Sequence, residues 1–275
     1  AYIFTRSSGT WTQQQKIIAS DAQGGDYFGY SVSLSSDGNT ALIGAWREDT
    51  VNSDAGAAYV FTRSIGTWTQ QQKIQASDAQ ASDYFGYSVS LSSDGNTALV
   101  GANGEDTGAP NTGAAYVFTR SSGTWTQQQK IIASDAQAYV EFGYSVSLSS
   151  DGNTALIGAY REGTGGTDAG AAYVFTRSSG TWTQQQKITA SDAEAYDNFG
   201  YSVSLSSDGN MALVGAYFED PSGLSSAGAA YIFTRSSGTW TQQQKIIASD
   251  AQGGDYFGYS VSLSSDGNTA LIGAW

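Results

Sequence analysis

Between Phe28 and Ser35, apolar and polar positions alternate, with Tyr30, Val32 and Leu34 set against Ser31, Ser33 and Ser35. A period of two predicts a strand with one buried face. Asp37-Gly38 follows as a two-residue hairpin signal, then an apolar run from Thr40 to Ala45 that predicts a second strand. A variable, glycine-rich loop leads to Ala58-Tyr59-Val60-Phe61-Thr62-Arg63, and a short Ser-Ile-Gly turn leads to Thr67-Trp68-Thr69-Gln70-Gln71-Gln72-Lys73-Ile74. These predict a third and a fourth strand. No segment carries helical periodicity. The fourth strand, with three Gln and a Lys, suits an outer edge that resists pairing with other molecules.

The whole unit recurs. Tyr2, Tyr59, Tyr116, Tyr173 and Tyr231 sit in matching segments spaced 57, 57, 57 and 58 residues apart, and residues 1–46 are identical to residues 230–275. Folding tolerates drift at surface positions. Identity over 46 residues therefore points to recent duplication, homogenisation or deliberate construction. Four antiparallel strands repeated five times predict an all-β fold, a five-bladed β-propeller in one domain. The expected blades are about 28–74, 85–131, 142–188 and 199–246, with the fifth split between 257–275 and 1–17. Closure of that split blade within the chain is the expectation, because the two ends share a high local concentration. Pairing between molecules, as a swapped oligomer or a filament, is the alternative.

Composition narrows the chemistry. The 275 residues include no Cys and no His, so thiol chemistry, the commonest general base and the commonest transition-metal ligand are all absent. A net charge of −13 argues against nucleic acid and anionic membranes, and no apolar run is long enough for a membrane span. No signal peptide is visible, and a first residue of Ala reads as a processed or excised product.

Phe-Gly-x-Ser-Val, then Asp-Gly-x-x-x-Leu-[Ile/Val]-Gly-Ala, then Gly-Ala-Ala-Tyr-Val-Phe resembles the FG-GAP repeat, the blade motif of integrin alpha-chain propellers and many bacterial surface proteins. The resemblance covers all five periods. It implies an extracellular or cell-surface propeller used in adhesion or binding, and a smaller ring than the seven blades of integrins. It departs at the family's calcium loop: Ser33, Ser35 and Ala41 stand where acidic ligands are expected, and one carboxylate per loop falls short of the oxygens calcium needs. Asp37, Asp94, Asp151, Asp208 and Asp266 therefore read as turn residues.

In a four-stranded meander the loops divide between two rims. One rim is nearly uniform. The other holds everything that varies, including 20 of the 25 acidic residues. Aromatic side chains beside carboxylates suit stacking on sugars, and variation on a rigid scaffold is where binding resides. The candidate ligand-binding residues are Trp46, Glu48, Asp49, Asn103, Glu105, Asp106, Tyr160, Glu162, Tyr217, Glu219, Asp220 and Trp275. The expected partner is a glycan or a protein, without a cofactor. Paired acids such as Glu48-Asp49 also admit calcium or a glycosidase-like carboxylate pair, yet none has a distinct setting, and a solvated acidic loop is the plainer reading. The expected function is a non-enzymatic binding or adhesion scaffold. The alternatives are a structural unit of a surface array joined through its split blade, or a homogenised or engineered propeller without a ligand.

Overall fold

The computed structural model describes residues 1–275. The first two strands, β1 (Tyr2–Ser7) and β2 (Thr10–Lys16), form a sheet of their own. Four complete blades follow. The first comprises β3 (Val32–Leu34), β4 (Thr40–Ala45), β5 (Ala57–Ser64) and β6 (Thr67–Ile74). The second comprises β7 (Ser88–Leu91), β8 (Thr97–Ala102), β9 (Ala114–Ser121) and β10 (Thr124–Ile131). The third comprises β11 (Ser145–Leu148), β12 (Thr154–Ala159), β13 (Ala171–Ser178) and β14 (Thr181–Ile188). The fourth comprises β15 (Ser202–Leu205), β16 (Met211–Ala216), β17 (Ala229–Ser236) and β18 (Thr239–Ile246). The last pair is β19 (Ser260–Leu263) and β20 (Ala270–Gly273). A single 3₁₀ turn, Pro221–Gly223, lies in the β16–β17 loop.

The architecture is all-β, with antiparallel four-stranded blades and a fifth repeat divided between the two ends of the chain. The expected closure is not present. β1–β2 and β19–β20 are separate two-stranded sheets, so no fifth blade is assembled. The short first strands of successive blades, β3, β7, β11, β15 and β19, pack side by side along the axis.

The second and third strands of each blade are buried because they are covered on both faces by neighbouring blades. Between the second and third blades, Leu99, Val117, Phe142, Ile157, Tyr173 and Trp182 share one apolar cluster, and the same cluster recurs at the adjacent junctions. The Phe of each Phe-Gly stacks edge-on against the next third strand: Phe85 lies 5.5 Å from Tyr116 and 5.8 Å from Phe118. Its glycine follows at φ +91°, where a Cβ on Gly86 would meet the Ala57 carbonyl oxygen at 2.3 Å.

The glutamines of the fourth strand serve the junctions between blades as well as the outer edge. Gln72 Nε2 donates to the Trp125 carbonyl while Trp125 N–H donates back to Gln72 Oε1, and Gln15, Gln129 and Gln186 repeat the pair. The ladder slips between Val60 and Phe61, leaving Gln71 as a bulge residue. Its Nε2 donates to Gly123 O in the next blade, 2.9 Å away. The hairpin aspartates act as turn residues. Asp37 accepts from Ser35 Oγ and from both Asn39 N–H and Asn39 Nδ2, which hold its carboxyl down at about 2.

Candidate functional site

The variable rim is built on buried charge, and this corrects the picture of solvated acidic loops. Glu48, Glu105, Glu162 and Glu219 are all buried, as are Asp26, Asp83 and Asp197. Each of these glutamates meets the lysine that ends its own blade. Lys130 Nζ lies 2.6 Å from Glu105 and 2.7 Å from Asp78 of the preceding crossing loop, and Lys73, Lys187 and Lys245 repeat the arrangement. Tyr116 and Tyr173 donate their hydroxyls to the same crossing-loop aspartates. Burial works against the Lys130 charge, yet hydrogen bonds and attraction from Asp78 and Glu105 raise its pKa overall. Glu219 is pushed up by burial despite Lys245. Glu105 also accepts from Thr107 N–H and Oγ1, closing the first turn of its loop.

The sequence candidates therefore divide. The four glutamates are pins that hold loops to blades, and their carboxylates face lysines rather than solvent. Asp49, Asp106 and Asp220 each accept a backbone N–H from the far side of their own loop, from Asp54, Asn111 and Ser226. No three acidic side chains converge into a set able to hold a metal ion. Asn103 is buried and donates to Glu141 Oε2 at 3.1 Å, and Arg161 Nη1 lies 3.2 Å from the same carboxylate. These three make a polar notch in an otherwise aromatic rim.

Trp46, Tyr160, Tyr217 and Trp275 are brought to the rim near the axis. They interleave there with tyrosines that the strand pattern had assigned to a plain inner strand. Tyr30, Tyr87, Tyr144, Tyr201 and Tyr259, one from each Phe-Gly-Tyr, form a ladder with successive ring centroids 5.0, 4.9, 4.8 and 5.1 Å apart. Tyr30 Oη donates to Tyr87 Oη at 2.9 Å. Trp46 packs on Tyr30 and Tyr87, Tyr160 on Tyr144 and Tyr201, and Tyr217 on Tyr201 and Tyr259. The signal for the ladder was the unvarying tyrosine after each Phe-Gly.

A cleft of about 460 Å³ opens where the third and fourth blades' loops meet. Tyr160, Tyr196, Tyr217 and Phe218 supply its aromatic walls, and Arg161, Asp168, Asn198 and Asp220 its polar groups. Arg161 lies over the Tyr160 ring at 5.3 Å, which orients both side chains. Asn198 is fixed by donating to the Asp168 carbonyl. Desolvation raises the Tyr217 hydroxyl to about 12, so it is neutral and a donor at physiological pH.

The FG-GAP repeat profile matches residues 11–61, 68–118, 125–175, 182–233 and 240–275. The chain belongs to the FG-GAP repeat family. In this FG-GAP propeller the motif marks the junctions between blades, since the Phe-Gly of one blade lies against the Gly-Ala of the preceding one. The matched segments run through the loops that follow Gly-Ala, and those loops are where the sequence differs most from blade to blade. No curated protein sequence matches the chain. Among solved structures it is similar to the periplasmic gluconolactonase PpgL of Pseudomonas aeruginosa, at 16% identity and a TM-score of 0.62, covering 99% of this chain and 71% of that one. At that identity the likeness is one of fold. It nonetheless corrects the exclusion of catalysis drawn from the sequence: a protein named as an enzyme shares this architecture, so the fold itself does not argue against turnover. No helix is long and apolar enough to cross a membrane.

Proposed function

We propose that this FG-GAP propeller binds a glycan on its variable rim at the extracellular face of a cell, with the cleft between the third and fourth blades as the principal subsite. The observation that carries the reading is the convergence of Tyr160, Tyr196, Tyr217 and Phe218 with Asp168, Asn198 and Asp220 around one open cleft. Apolar sugar faces stack on aromatic rings, and the hydroxyl edge takes hydrogen bonds from carboxylate, amide and phenol groups. Asp168 and Asp220 outnumber Arg161, which is itself held by Glu141, so the pocket suits a neutral sugar over an anionic one. Trp46 with Tyr27 and Tyr84 forms a second aromatic patch further along the rim, placed to take another part of an extended chain.

A neutral-glycan array followed by calorimetry tests this. Binding is expected to fall at least tenfold in Tyr160→Ala and Tyr217→Ala. It is expected to remain in Ser121→Ala, on the uniform rim. Binding that survives both cleft substitutions overturns the assignment. Because the similar structure is named a gluconolactonase, the assay includes sugar lactones as candidate substrates, with hydrolysis read alongside binding.

A further inference from the structure

We propose that the tyrosine ladder along the axis is a site of oxidative modification, in which a one-electron oxidant joins neighbouring rings by carbon–carbon bonds and so ties successive blades together. Its inner members, Tyr87, Tyr144 and Tyr201, directly precede the first strands β7, β11 and β15. The same locks set those strands in phase at each junction. Ser88 Oγ donates to Gly143 O and Leu148 N–H to Ser90 Oγ, and Ser145 and Leu205 repeat both contacts one blade on. Like rings therefore face each other, with centroids 4.9 and 4.8 Å apart and planes at 44° and 42°. Their hydroxyls also adjoin. That of Tyr144 interacts with those of Tyr87 and Tyr201, and at the Tyr30–Tyr87 step the two oxygens are 2.9 Å apart.

Oxidation of a phenol puts reactive electron density on its oxygen and on the ring carbons ortho to it. Two phenols whose hydroxyls adjoin present those ortho carbons to each other. The linked product is itself twisted, because hydroxyls flanking the new bond clash when the rings are coplanar, and the tilt of the ladder suits it. Tyr160 and Tyr217 also pack on the ladder, 4.5 Å from Tyr144 and 4.2 Å from Tyr201. Neither hydroxyl bonds to a ladder hydroxyl, that of Tyr160 being turned to Glu141 and Arg161. Desolvation raises the Tyr87 and Tyr144 hydroxyls, so each is a neutral phenol that releases its proton with its electron. In each coupling the two phenols give one electron apiece to the oxidant and one proton apiece to solvent. The phenoxyls join through their ortho carbons, and the hydrogens displaced from those carbons return to the oxygens. One carbon–carbon bond forms and two hydrogens leave the protein. A peroxide-class acceptor takes the electrons, hydrogen peroxide going to water or persulfate to sulfate.

A photo-excited ruthenium tris-bipyridine complex with persulfate, applied to the dilute chain, tests this. The expected product is a monomer with dityrosine fluorescence, lighter by two hydrogens per link. Tryptic peptides are expected to be joined from Tyr87 to Tyr144 and from Tyr144 to Tyr201, located by fragment sequencing; each of the three lies in a separate peptide. Unfolding in urea is expected to slow by roughly tenfold or more once the blades are tied. Tyr87→Phe with Tyr201→Phe leaves no two neighbouring tyrosines in the ladder, and is expected to abolish these links with an unchanged circular dichroism spectrum. Tyr139→Phe with Tyr196→Phe removes two of the most exposed tyrosines, 56% and 61%, and is expected to keep the links. Coupling or hydroxylation at Tyr139 and Tyr196 with the ladder unlinked overturns the proposal. So does dityrosine fluorescence of equal strength in the parent and the Tyr87→Phe/Tyr201→Phe variant.

Discussion

Gly101 in the second blade lies against the carbonyl oxygen of Gly143 at the entry to the third, so close that a Cβ on Gly101 would sit 2.0 Å from that oxygen. The equivalent approach occurs from Gly44 to Gly86, from Gly158 to Gly200 and from Gly215 to Gly258. The partner glycine serves a second close approach at the same junction, since a Cβ on Gly143 would meet the Ala114 carbonyl oxygen at 2.3 Å. These contacts bring backbones of adjacent blades together where any side chain would wedge them apart.

Gly101→Ala is expected to destabilise the protein by about 3 kcal/mol, the upper part of the range for overpacked interiors, because backbone on the far side cannot yield as a side chain can. Gly24→Ala, at a glycine with open space around it, is expected to be neutral within about 0.5 kcal/mol. Urea unfolding of the two variants beside the parent checks the contrast.

Much of this frame was legible in the sequence. Alternation after each Phe-Gly, the Asp-Gly hairpin signal and the 57-residue spacing led to strands, turns and blades. The fate of the charged residues was not legible. Glu48 and Glu105 read as solvent-facing loop acids because composition does not reveal that Lys73 and Lys130, some 25 residues later, return to the same spot. The tyrosine ladder was equally hidden, since a period of two places Tyr30 on the apolar face of its strand without showing that the strand starts at the rim. Of the binding candidates, Tyr160, Tyr217 and Asp220 came together in the cleft, while its other residues, Tyr196, Phe218, Asp168 and Asn198, lie on loops whose meeting depends on blade packing.

The lysine pins make a second prediction. Lys130→Met leaves Glu105 buried without its cation, and the expected loss is about 3 kcal/mol, as for a broken buried pair. Adding Glu105→Gln is expected to recover at least half of that, because the uncompensated charge is removed. Thermal unfolding of both single variants and the double variant gives the coupling.

Acidity should stabilise the fold over part of the pH range. Burial is the main cause that raises Asp83 and Asp197 to about 6, with nearby carboxylates adding to it. An acid whose folded pKa lies above its unfolded value favours folding fully below the unfolded value, and loses that contribution as pH rises through the folded one. These two groups therefore stabilise the protein progressively as pH falls from about 7 toward about 4. Asp37, held at about 2, acts in the opposite sense and only below about pH 4. The urea midpoint is expected to be higher at pH 5 than at pH 7, and Asp83→Asn with Asp197→Asn is expected to narrow that difference.

The outer clamps give a fourth prediction. Gln72→Ala removes two reciprocal hydrogen bonds to the Trp125 backbone, with an expected cost of about 1–2 kcal/mol. Amide hydrogen exchange should quicken at Trp125, whose N–H loses its acceptor, and remain unchanged at Trp182, whose partner Gln129 is intact.

The central claim is that a sugar ring lies against the aromatic walls between the third and fourth blades. Saturation-transfer NMR with an array-selected neutral glycan, irradiating the protein's aromatic protons, tests it most directly. The account predicts strong transfer to the protons of one sugar face and its loss in Tyr160→Ala/Tyr217→Ala, with the fold intact by circular dichroism. Equal transfer in the parent and the double variant, or none in the parent, would contradict it.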